Sequence, residues 1–407
     1  MRASDTSTRL AITGVGIICS IGRNRSEVWQ SIVESRDGIG KLTKFPGESF
    51  PTDVAAEVGG LDDLLPIDSR EARRMSRSDL LAVIAAHEAV TQANDGATTP
   101  LSRERAVVST GTSTGGLLEG ESFYFNRLVH GRGRVAVSSV LQQPTSGPSD
   151  AVARSLGLGG GVLSNATACA SAGAAIGMAG DLLRSRHADV AIAGGSDALC
   201  RLTYSGFNVL QAVDEHPCAP FAAGRKGITL GEGAAYLVIE RWDDASARGA
   251  TILAEFLGYG ATCDAHHPTA PHEEGRGAQA AMRGALAEAG AERPRVDYIN
   301  AHGTGTLLND SAETKAIVAA IGETVPVSSS KSYFGHTLGA SGGIEAVISV
   351  LALQNQLAPP TLRLDAAAAD CTLDYVPHTP RPMTMTNILS NTFGFGGSNV
   401  SLLFRRT

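Results

Sequence analysis

The sequence predicts an α/β layered fold, because short apolar stretches typical of strands alternate with stretches of helical spacing along most of the chain. Residues 105–110 and 296–300 are examples of such strands. A second observation is an internal echo, in which residues 9–16 and 252–260 are both apolar strands that end in glycines. Taken alone, the echo does not distinguish a duplication from chance.

Two helices rich in small residues are predicted, one at 174–184 and one at 343–353. Each falls in a different half of the chain, which agrees with the internal echo. A strand predicted at 234–240 closes the first half, so we divide the chain shortly after it. The expected units are residues 1–249 and residues 250–407.

The composition is that of a large globular protein. The chain has 407 residues, of which 43% are hydrophobic, enough to bury an extensive core in two domains or two fused halves. No apolar run approaches the roughly 18 residues of a membrane helix, and the N-terminal residues lack the apolar core of a signal peptide. We therefore expect a cytoplasmic protein that does not bind membranes.

Cysteine content and charge argue against several other classes of protein. The six cysteines are scattered without a Cys-x-x-Cys pair, so neither a disulfide framework nor a zinc site is predicted, and no metal is expected. The net charge of −7, without any long basic run, argues against nucleic-acid binding.

Cys169 is the first candidate for chemistry. It follows the apolar residues 161–163, which we interpret as the end of a buried strand, and it precedes the small-residue helix. At such a turn, backbone N–H groups and the helix dipole favour the thiolate and lower the pKa below the free value of about 8.5. A buried structural cysteine is the alternative interpretation, and this segment alone does not decide between them.

Two histidine motifs favour the catalytic interpretation. His302 lies in Asn-Ala-His-Gly-Thr-Gly-Thr at 300–306, after an apolar strand, and His336 ends Lys-Ser-Tyr-Phe-Gly-His at 331–336. A lone histidine is most often structural. Two histidines, Lys331 and a cysteine in glycine-rich turns instead indicate a site built on loops over a rigid scaffold.

These motifs closely resemble those of the elongating β-ketoacyl-acyl carrier protein synthases of the thiolase superfamily. The matching segments are Thr-Ala-Cys at 167–169, His-Gly-Thr-Gly-Thr at 302–306, Lys331 with Gly335-His336, and Asn-Thr-Phe-Gly-Phe-Gly-Gly-Ser-Asn at 391–399. The resemblance covers essentially the whole chain, and four motifs in order make a strong signal. It implies the duplicated thiolase fold, five αβαβα layers with the site between the halves.

The resemblance also implies a reaction. An acyl chain passes from acyl carrier protein to Cys169, and malonyl-acyl carrier protein then loses carbon dioxide and condenses with it. No cofactor is expected, because the phosphopantetheine of the carrier protein holds the substrates. The N–H groups of Cys169 and Phe395 would hold the acyl oxygen, and the Nε atoms of His302 and His336 would face the malonyl thioester.

Further roles follow from the same resemblance. Lys331 would fix the local charge and orient the second histidine, and Glu313 would support this network. The alternative for Glu313 is an exposed helix acid paired with a neighbouring lysine. Phe395 lies between glycines and would gate the acyl pocket, although a structural tight turn is the alternative.

The remaining predicted substrate contacts come from the same loops. Thr304, Thr306 and Phe393 belong to two of the matching motifs. Thr114 lies in a glycine-rich loop that lacks the ending of a phosphate-binding loop, and the resemblance places it where a side chain helps to set chain length.

The chain also departs from the housekeeping fatty-acid enzymes that it resembles. Ala222 stands where they usually have Asp, the residues at 225–228 are Arg-Lys-Gly-Ile instead of Arg-Asp-Gly-Phe, and Leu307 replaces a common proline. None of these positions belongs to the catalytic set. They leave open whether the pathway makes fatty acids or a specialised polyketide or polyene.

Other function classes fit the sequence less well. A degradative thiolase needs a second cysteine in the C-terminal glycine-rich turn, which has none between 393 and 398. A cysteine hydrolase leaves the second histidine and Lys331 unexplained. Chain-length factors, the non-catalytic partner subunits of ketosynthases, typically lack the nucleophile. We therefore expect the catalytic subunit, as a homodimer or as a heterodimer with a ketosynthase-like subunit.

Carrier proteins are acidic, so docking requires a local basic patch. Spacing places four arginines on one face of a predicted helix, and two more lie in a glycine loop. The resemblance assigns both places to the carrier, whereas a solvated helix face is the alternative. These residues are Arg70, Arg73, Arg74 and Arg77 in the helix, and Arg132 and Arg134 in the loop.

Overall fold

The computed structural model describes residues 8–45, 50–131, 138–290 and 294–407. The strands in chain order are β1 (Leu10–Cys19), β2 (Gly40–Lys41), β3 (Val54–Ala56), β4 (Ala106–Gly111), β5 (Val162–Asn165), β6 (Val190–Asp197), β7 (Leu230–Gly231), β8 (Gly233–Arg241), β9 (Ala254–Cys263), β10 (Tyr298–Asn300), β11 (Val327–Ser328), β12 (Leu357–Ala358), β13 (Arg381–Pro382), β14 (Asn387–Gly394) and β15 (Ser398–Arg405).

The helices are α1 (Arg25–Val33), α2 (Ser69–Ala72), α3 (Arg77–Asn94), α4 (Leu117–His130), α5 (Ser138–Leu141), α6 (Gly147–Leu156), α7 (Ser171–Arg184), α8 (Arg201–Val209), α9 (Trp242–Ala247), α10 (Arg276–Glu288), α11 (Leu307–Ala320), α12 (Lys331–Phe334) and α13 (Ser341–Asn355). Short 3-10 turns lie at Ala168–Ala170, Leu338–Ala340 and Phe395–Gly397.

The main sheet repeats one strand order in its two halves. Among the described residues the order is β11-β10-β14-β15-β9-β1-β8-β6-β4-β5. Each half contributes five strands to this sheet: β1, β4, β5, β6 and β8 in the first half, and β9, β10, β11, β14 and β15 in the second. Within each set of five, the second, third and fourth strands run parallel, and the fifth is antiparallel to the fourth and to the first. The halves join where Leu10–Ile12 of β1 pairs with Ala254–Phe256 of β9. The internal echo in the sequence is therefore a true duplication.

Helices complete the five predicted layers. α3 and α6 cover the outer face of the first half, and α10 and α11 cover the outer face of the second. Between the halves, α7 and α13 pack against each other and against strands of both halves. The small residues of α7 permit this close packing, since a Cβ at Gly177 would collide with the Tyr259 ring. The duplicated thiolase arrangement is confirmed.

Two local predictions were wrong. β5 is not buried but forms the edge of the sheet, where β4 is its one neighbour among the described strands and Val162 is 43% exposed. The helix expected to carry four arginines is interrupted between α2 and α3, because Asp68 caps the first helix and Ser76 caps the second. The four arginines therefore do not share one helical face.

Two other predictions concern the whole chain. The proposed boundary between residues 249 and 250 lies in the link between α9 and β9, and it stays a prediction. No helix in the part of the chain that the structure describes is long and apolar enough to cross a membrane.

Candidate active site

Cys169 lies in the turn between β5 and α7, as the sequence predicts. The turn Ala168–Ala170 leads directly into the first turn of α7. Ala168 has a φ of 50°, a left-handed conformation that costs energy for an alanine. Its carbonyl oxygen accepts hydrogen bonds from Ser171 Oγ at 2.6 Å and Ser113 Oγ at 3.1 Å. These bonds hold the strained turn, which places Cys169, a residue only 6% exposed, at the N-terminal end of α7.

The second half of the chain carries a copy of this turn. Residues Leu338–Ala340 precede α13 as Ala168–Ala170 precede α7, and Leu338 has a φ of 53°. In this copy Gly339 occupies the place of the cysteine. Duplication therefore brings two equivalent turns to one site, and the second copy serves a different purpose.

That second turn fixes the tautomer of His336. The N–H of Leu338 donates to His336 Nδ1 at 3.2 Å, and Ser341 Oγ lies 2.9 Å from the same nitrogen. Because a backbone N–H can only donate, Nδ1 must be the acceptor, and the ring proton is on Nε2. His336 Nε2 lies 3.0 Å from Cys169 Sγ. His336 therefore presents an N–H donor to the sulfur and is not poised to take its proton.

His302 is held in the same tautomer by a different partner. Lys331 Nζ lies 3.1 Å from His302 Nδ1, and the lysine also forms a fully buried ion pair with Glu345. An ammonium group only donates, so the proton of His302 is also on Nε2. Burial, together with the Lys331 charge, lowers the pKa of both His302 and His336 well below the usual value. Both rings are therefore neutral donors.

The expected role of Lys331 needs one correction. We predicted that it orients the second histidine, whereas it contacts His302, the first of the two in the chain. His336 is oriented instead by the main chain of its own turn. The rings of His302 and His336 nevertheless lie close, with centroids 5.4 Å apart.

Two carboxylates from α11 hold the loop that carries His302. Glu313 accepts the N–H groups of His302 and Gly303, both at 2.8 Å, and Asp310 accepts those of Thr304 and Gly305 at 3.1 and 3.2 Å. Glu313 is buried, so the alternative of an exposed helix acid was wrong. Burial raises the pKa of Glu313 to about 7, although these hydrogen bonds act to lower it.

The pKa of Cys169 is raised, contrary to the sequence-based expectation. Burial is the largest cause and brings the value to about 11, whereas Lys331 and the backbone N–H groups of Phe395 and Cys169 act to lower it. The same two N–H groups that the resemblance assigns to the acyl oxygen therefore already point towards the sulfur. Gly394 keeps this approach open, since a Cβ there would lie 3.0 Å from the Cys169 nitrogen.

A cavity of about 430 Å³ connects the thiol to the surface. Its inner wall includes Cys169, His302 and His336, and its rim includes the exposed Leu307 and Leu308 at the start of α11. Such a concave, mostly apolar site with a few convergent polar groups is typical of substrate binding.

The predicted substrate residues are mostly at this cavity. Thr304, Thr306, Phe393 and Phe395 line it. Phe395 is half-buried, its ring centroid lies 5.5 Å from that of Phe207, and Gly396 beside it has a φ of 81°.

Thr114 is not among the residues that line the cavity. It is buried, and its hydroxyl donates to Asp197 at 2.7 Å. Its predicted part in setting chain length stays a prediction.

The predicted docking arginines separate into groups. Arg70, Arg73 and Arg74 are exposed near α2. Arg77 instead forms an ion pair with the buried Glu232 at 2.7 Å and donates to the Val58 carbonyl at 2.8 Å, so it is a structural residue.

Two further predicted docking residues, Arg132 and Arg134, lie outside the described residues.

Sequence reasoning missed two buried acids. Glu345 pairs with Lys331, and Asp197 accepts hydrogen bonds from both halves of the chain. Each is a single acid within an apolar or small-residue stretch, and such an acid must find buried partners. Among the described residues, no group of three or more histidine, cysteine or acidic side chains is arranged to hold a metal.

The duplicated fold with a cysteine and two histidines between its halves defines an acyl-transferring enzyme of the thiolase type. Residues 7–245 match the family model of the β-ketoacyl synthase N-terminal domain, and residues 253–365 match that of the C-terminal domain. The chain belongs to the β-ketoacyl synthase family.

Curated relatives span the whole chain. Nodulation protein E of Rhizobium meliloti strain 1021 is 39% identical over 406 residues, which cover 98% of this chain and 99% of the relative. The 3-oxoacyl-(acyl-carrier-protein) synthase 2 of a Synechocystis strain is 39% identical over 408 residues and 98% of both chains.

Solved structures agree with the family assignment. The ishigamide ketosynthase/chain length factor has a TM-score of 0.93 at 33% identity, covering 98% of this chain and 99% of that one. The ketosynthase ApeO in complex with its chain length factor ApeC, from Xenorhabdus doucetiae, has a TM-score of 0.83 at 32% identity and covers 100% of both chains.

Proposed function

We propose that this chain is the catalytic subunit of a β-ketoacyl-acyl carrier protein synthase and extends an acyl chain by two carbons. One observation supports this above the others. His336 Nε2 lies 3.0 Å from Cys169 Sγ, while the Nδ1 atoms of both histidines are engaged by donors. The site therefore presents two N–H donors beside a single nucleophile.

In the first step the acyl group moves from the carrier to Cys169. The sulfur attacks the thioester carbonyl, a new C–S bond forms, and the bond to the carrier sulfur breaks. The thiol proton of Cys169 leaves with the carrier thiol, so no external base is consumed. The negative charge that develops on the carbonyl oxygen is stabilised by the N–H groups of Cys169 and Phe395.

In the second step malonyl-acyl carrier protein binds in the same cavity. Its thioester oxygen accepts from the Nε2–H groups of His302 and His336, which stabilises negative charge on that oxygen. The bond to the carboxylate breaks, carbon dioxide leaves, and the electron pair forms an enolate. The enolate carbon attacks the acyl carbonyl, the bond to Cys169 breaks, and the released thiolate takes one proton from solvent.

This division of labour is tested by intact mass after incubation with acyl-carrier protein, with and without malonyl-carrier protein. His302→Ala and His336→Ala should still form the acyl enzyme at Cys169 but should lose most of the condensation rate, with partial residual activity in each single variant. Cys263→Ala, which removes an exposed cysteine, is the matched control and should behave as the unmodified protein. An acyl group on any cysteine other than Cys169, or loss of acylation in both histidine variants with the fold intact, would reject the proposal.

The pathway and the partner belong to the same proposal. Relatives include a 3-oxoacyl-(acyl-carrier-protein) synthase 2 and structural neighbours include ketosynthases with chain length factors, so fatty-acid and specialised polyketide elongation are both within the proposed range. We propose a homodimer, or a heterodimer with a ketosynthase-like subunit. Acyl carrier protein docks at Arg70, Arg73 and Arg74, and no cofactor is used beyond the carrier's phosphopantetheine. A cytoplasmic location stays a prediction.

A further inference from the structure

Asp197, the last residue of β6, is a fully buried carboxylate beside the active site. Among the described residues it has no cationic partner within ion-pair distance. Its oxygens instead accept hydrogen bonds from three backbone N–H groups and two hydroxyls. The donors are Ser113 N, Thr114 N, Gly339 N, Thr112 Oγ1 and Thr114 Oγ1, at 2.8, 2.9, 2.6, 2.7 and 2.7 Å.

A negative charge on Asp197 disfavours the thiolate form of Cys169. A buried carboxylate without a counter-ion is costly, and the negative charge of Asp197 raises the pKa of Cys169. An uncharged residue would avoid both costs. The partners of the two carboxylate oxygens indicate a role that offsets these costs.

One oxygen of Asp197 connects the two duplicated turns. Oδ2 accepts from Gly339 in the turn Leu338–Ala340, and it also accepts from Ser113. The hydroxyl of Ser113 donates to the carbonyl of Ala168, next to Cys169. On the other side, Leu338, the neighbour of Gly339, donates to His336 Nδ1. Oδ2 of Asp197 therefore binds both Ser113, which supports the turn of Cys169, and Gly339, which lies in the turn that supports His336.

The absence of a side chain at Gly339 fits this connection. A Cβ there would lie 2.6 Å from Asp197 Oδ2 and 2.6 Å from Ser113 N. Either the carboxylate or the turn would have to move to accommodate it. Gly339, which corresponds to Cys169 in the second half, thus supplies an N–H group that donates to Asp197.

We propose that Asp197 is a positioning residue for the condensation step. It fixes the turn Leu338–Ala340, and through that turn it fixes the position of His336 relative to Cys169. The inference rests on the proposed function, since it assumes that His336 acts on the malonyl substrate. Asp197 itself does not touch the substrate or the sulfur. It acts through the geometry of His336.

The test compares two steps in Asp197→Asn. The amide keeps the size of the side chain, but one arm now donates and cannot accept the N–H groups that the carboxylate accepts. The rate constant of condensation should fall by roughly 10- to 100-fold, with the KM for malonyl-carrier protein little changed. Acylation of Cys169 should slow much less, because the weakened Ser113 contact is offset by removal of a negative charge that disfavours the thiolate. Equal losses in both steps would indicate a merely structural role and overturn the proposal.

Double variants then show through which histidine Asp197 acts. Asp197→Asn should add no further loss of malonyl decarboxylation to His336→Ala, but it should still reduce the rate in His302→Ala, whose ring is held by Lys331. The same loss in both histidine backgrounds, or no loss in the single variant, would overturn the proposal. Thr112→Val removes a bond from the other carboxylate oxygen and is the matched control, with a smaller expected loss.

A second variant covers the case in which Asp197→Asn does not fold. Gly339→Ala displaces the same contact from the other side and should give the same pattern in the two steps and in the two histidine backgrounds. Wild-type condensation by Gly339→Ala would overturn the proposal. Failure of the proposed function is recognised separately, because the unmodified protein would then form no acyl enzyme at Cys169.

Discussion

Replacing Glu313 by glutamine should make the protein less active without making it less stable at neutral pH. The carboxylate accepts the N–H groups of His302 and Gly303, each at 2.8 Å. A glutamine side chain has one acceptor oxygen, and its NH₂ group faces the second N–H. The His302 loop therefore loses one of its two anchors, and we expect condensation to slow on the order of 10- to 100-fold.

The stability change combines two opposing contributions. Burial raises the pKa of Glu313 from 4.5 to about 7, which corresponds to about 3 kcal/mol of unfavourable free energy for the ionised form. Glutamine removes this cost but leaves one buried N–H without its acceptor, at about 1–3 kcal/mol. Above pH 7 the variant should therefore be as stable as the wild type or more stable, by up to about 2 kcal/mol.

The sign of the pH dependence follows from the raised pKa. Between pH 4.5 and 7 the folded protein keeps a proton on Glu313 that the unfolded chain has lost, so wild-type stability falls as the pH rises through this window. The variant lacks this contribution. Its stability relative to the wild type should therefore increase between pH 5 and pH 8, by up to about 3 kcal/mol.

Urea unfolding at several pH values, together with single-turnover condensation, measures both effects. Glu323→Gln changes an exposed acid beyond the end of α11 and is the matched control, with neither effect expected. A stability difference that is the same at pH 5 and pH 8 would show that the buried carboxyl carries no ionisation cost. Wild-type condensation by Glu313→Gln would show that its hydrogen bonds do not position His302.

Three further predictions concern the thiol and the docking surface. Lys331→Met removes the charge that lowers the pKa of Cys169, so iodoacetamide labelling should shift to higher pH, and an unchanged profile would contradict this. Gly394→Ala places a Cβ about 3.0 Å from the Cys169 nitrogen and should slow acylation, measured by intact mass; an unaltered rate would remove that N–H from the mechanism. Charge reversal of Arg73 and Arg74 should raise the KM for acyl-carrier protein but not for an N-acetylcysteamine thioester, and equal effects on both substrates would exclude docking there.

Local patterns predicted the fold well where they reflect burial on both faces. The strands β1, β8 and β9 and the helices α7 and α13 were all anticipated, because apolar and small residues predominate in them. The edge position of β5 was missed, since a run such as Val162-Leu163 does not indicate how many neighbours a strand has. The break between α2 and α3 was also missed, although Asp68 and Ser76 are ordinary N-cap residues.

Only the site residues that lie in recognisable sequence motifs were predicted. Cys169, His302, His336 and Lys331 were found because they lie in distinctive glycine-rich turns, and the structure brings all four together. Which histidine contacts Lys331 could not be read from spacing, because Lys331 and His302 are 29 residues apart in the chain and meet only in the folded protein. Glu345 could have been suspected, because a single acid in an apolar helix requires a buried cation.

The duplicated turns also give the site a charge that no side chain supplies. α7 begins immediately after the turn of Cys169 and α13 immediately after the turn that holds His336, and these two side chains are 3.0 Å apart. Two helix N-termini therefore converge on one place, each equivalent to about half a positive elementary charge. This combined backbone charge does not titrate with pH and is not removed by any single side-chain replacement. Anionic intermediates of both half-reactions thus form in a field that is built into the fold itself.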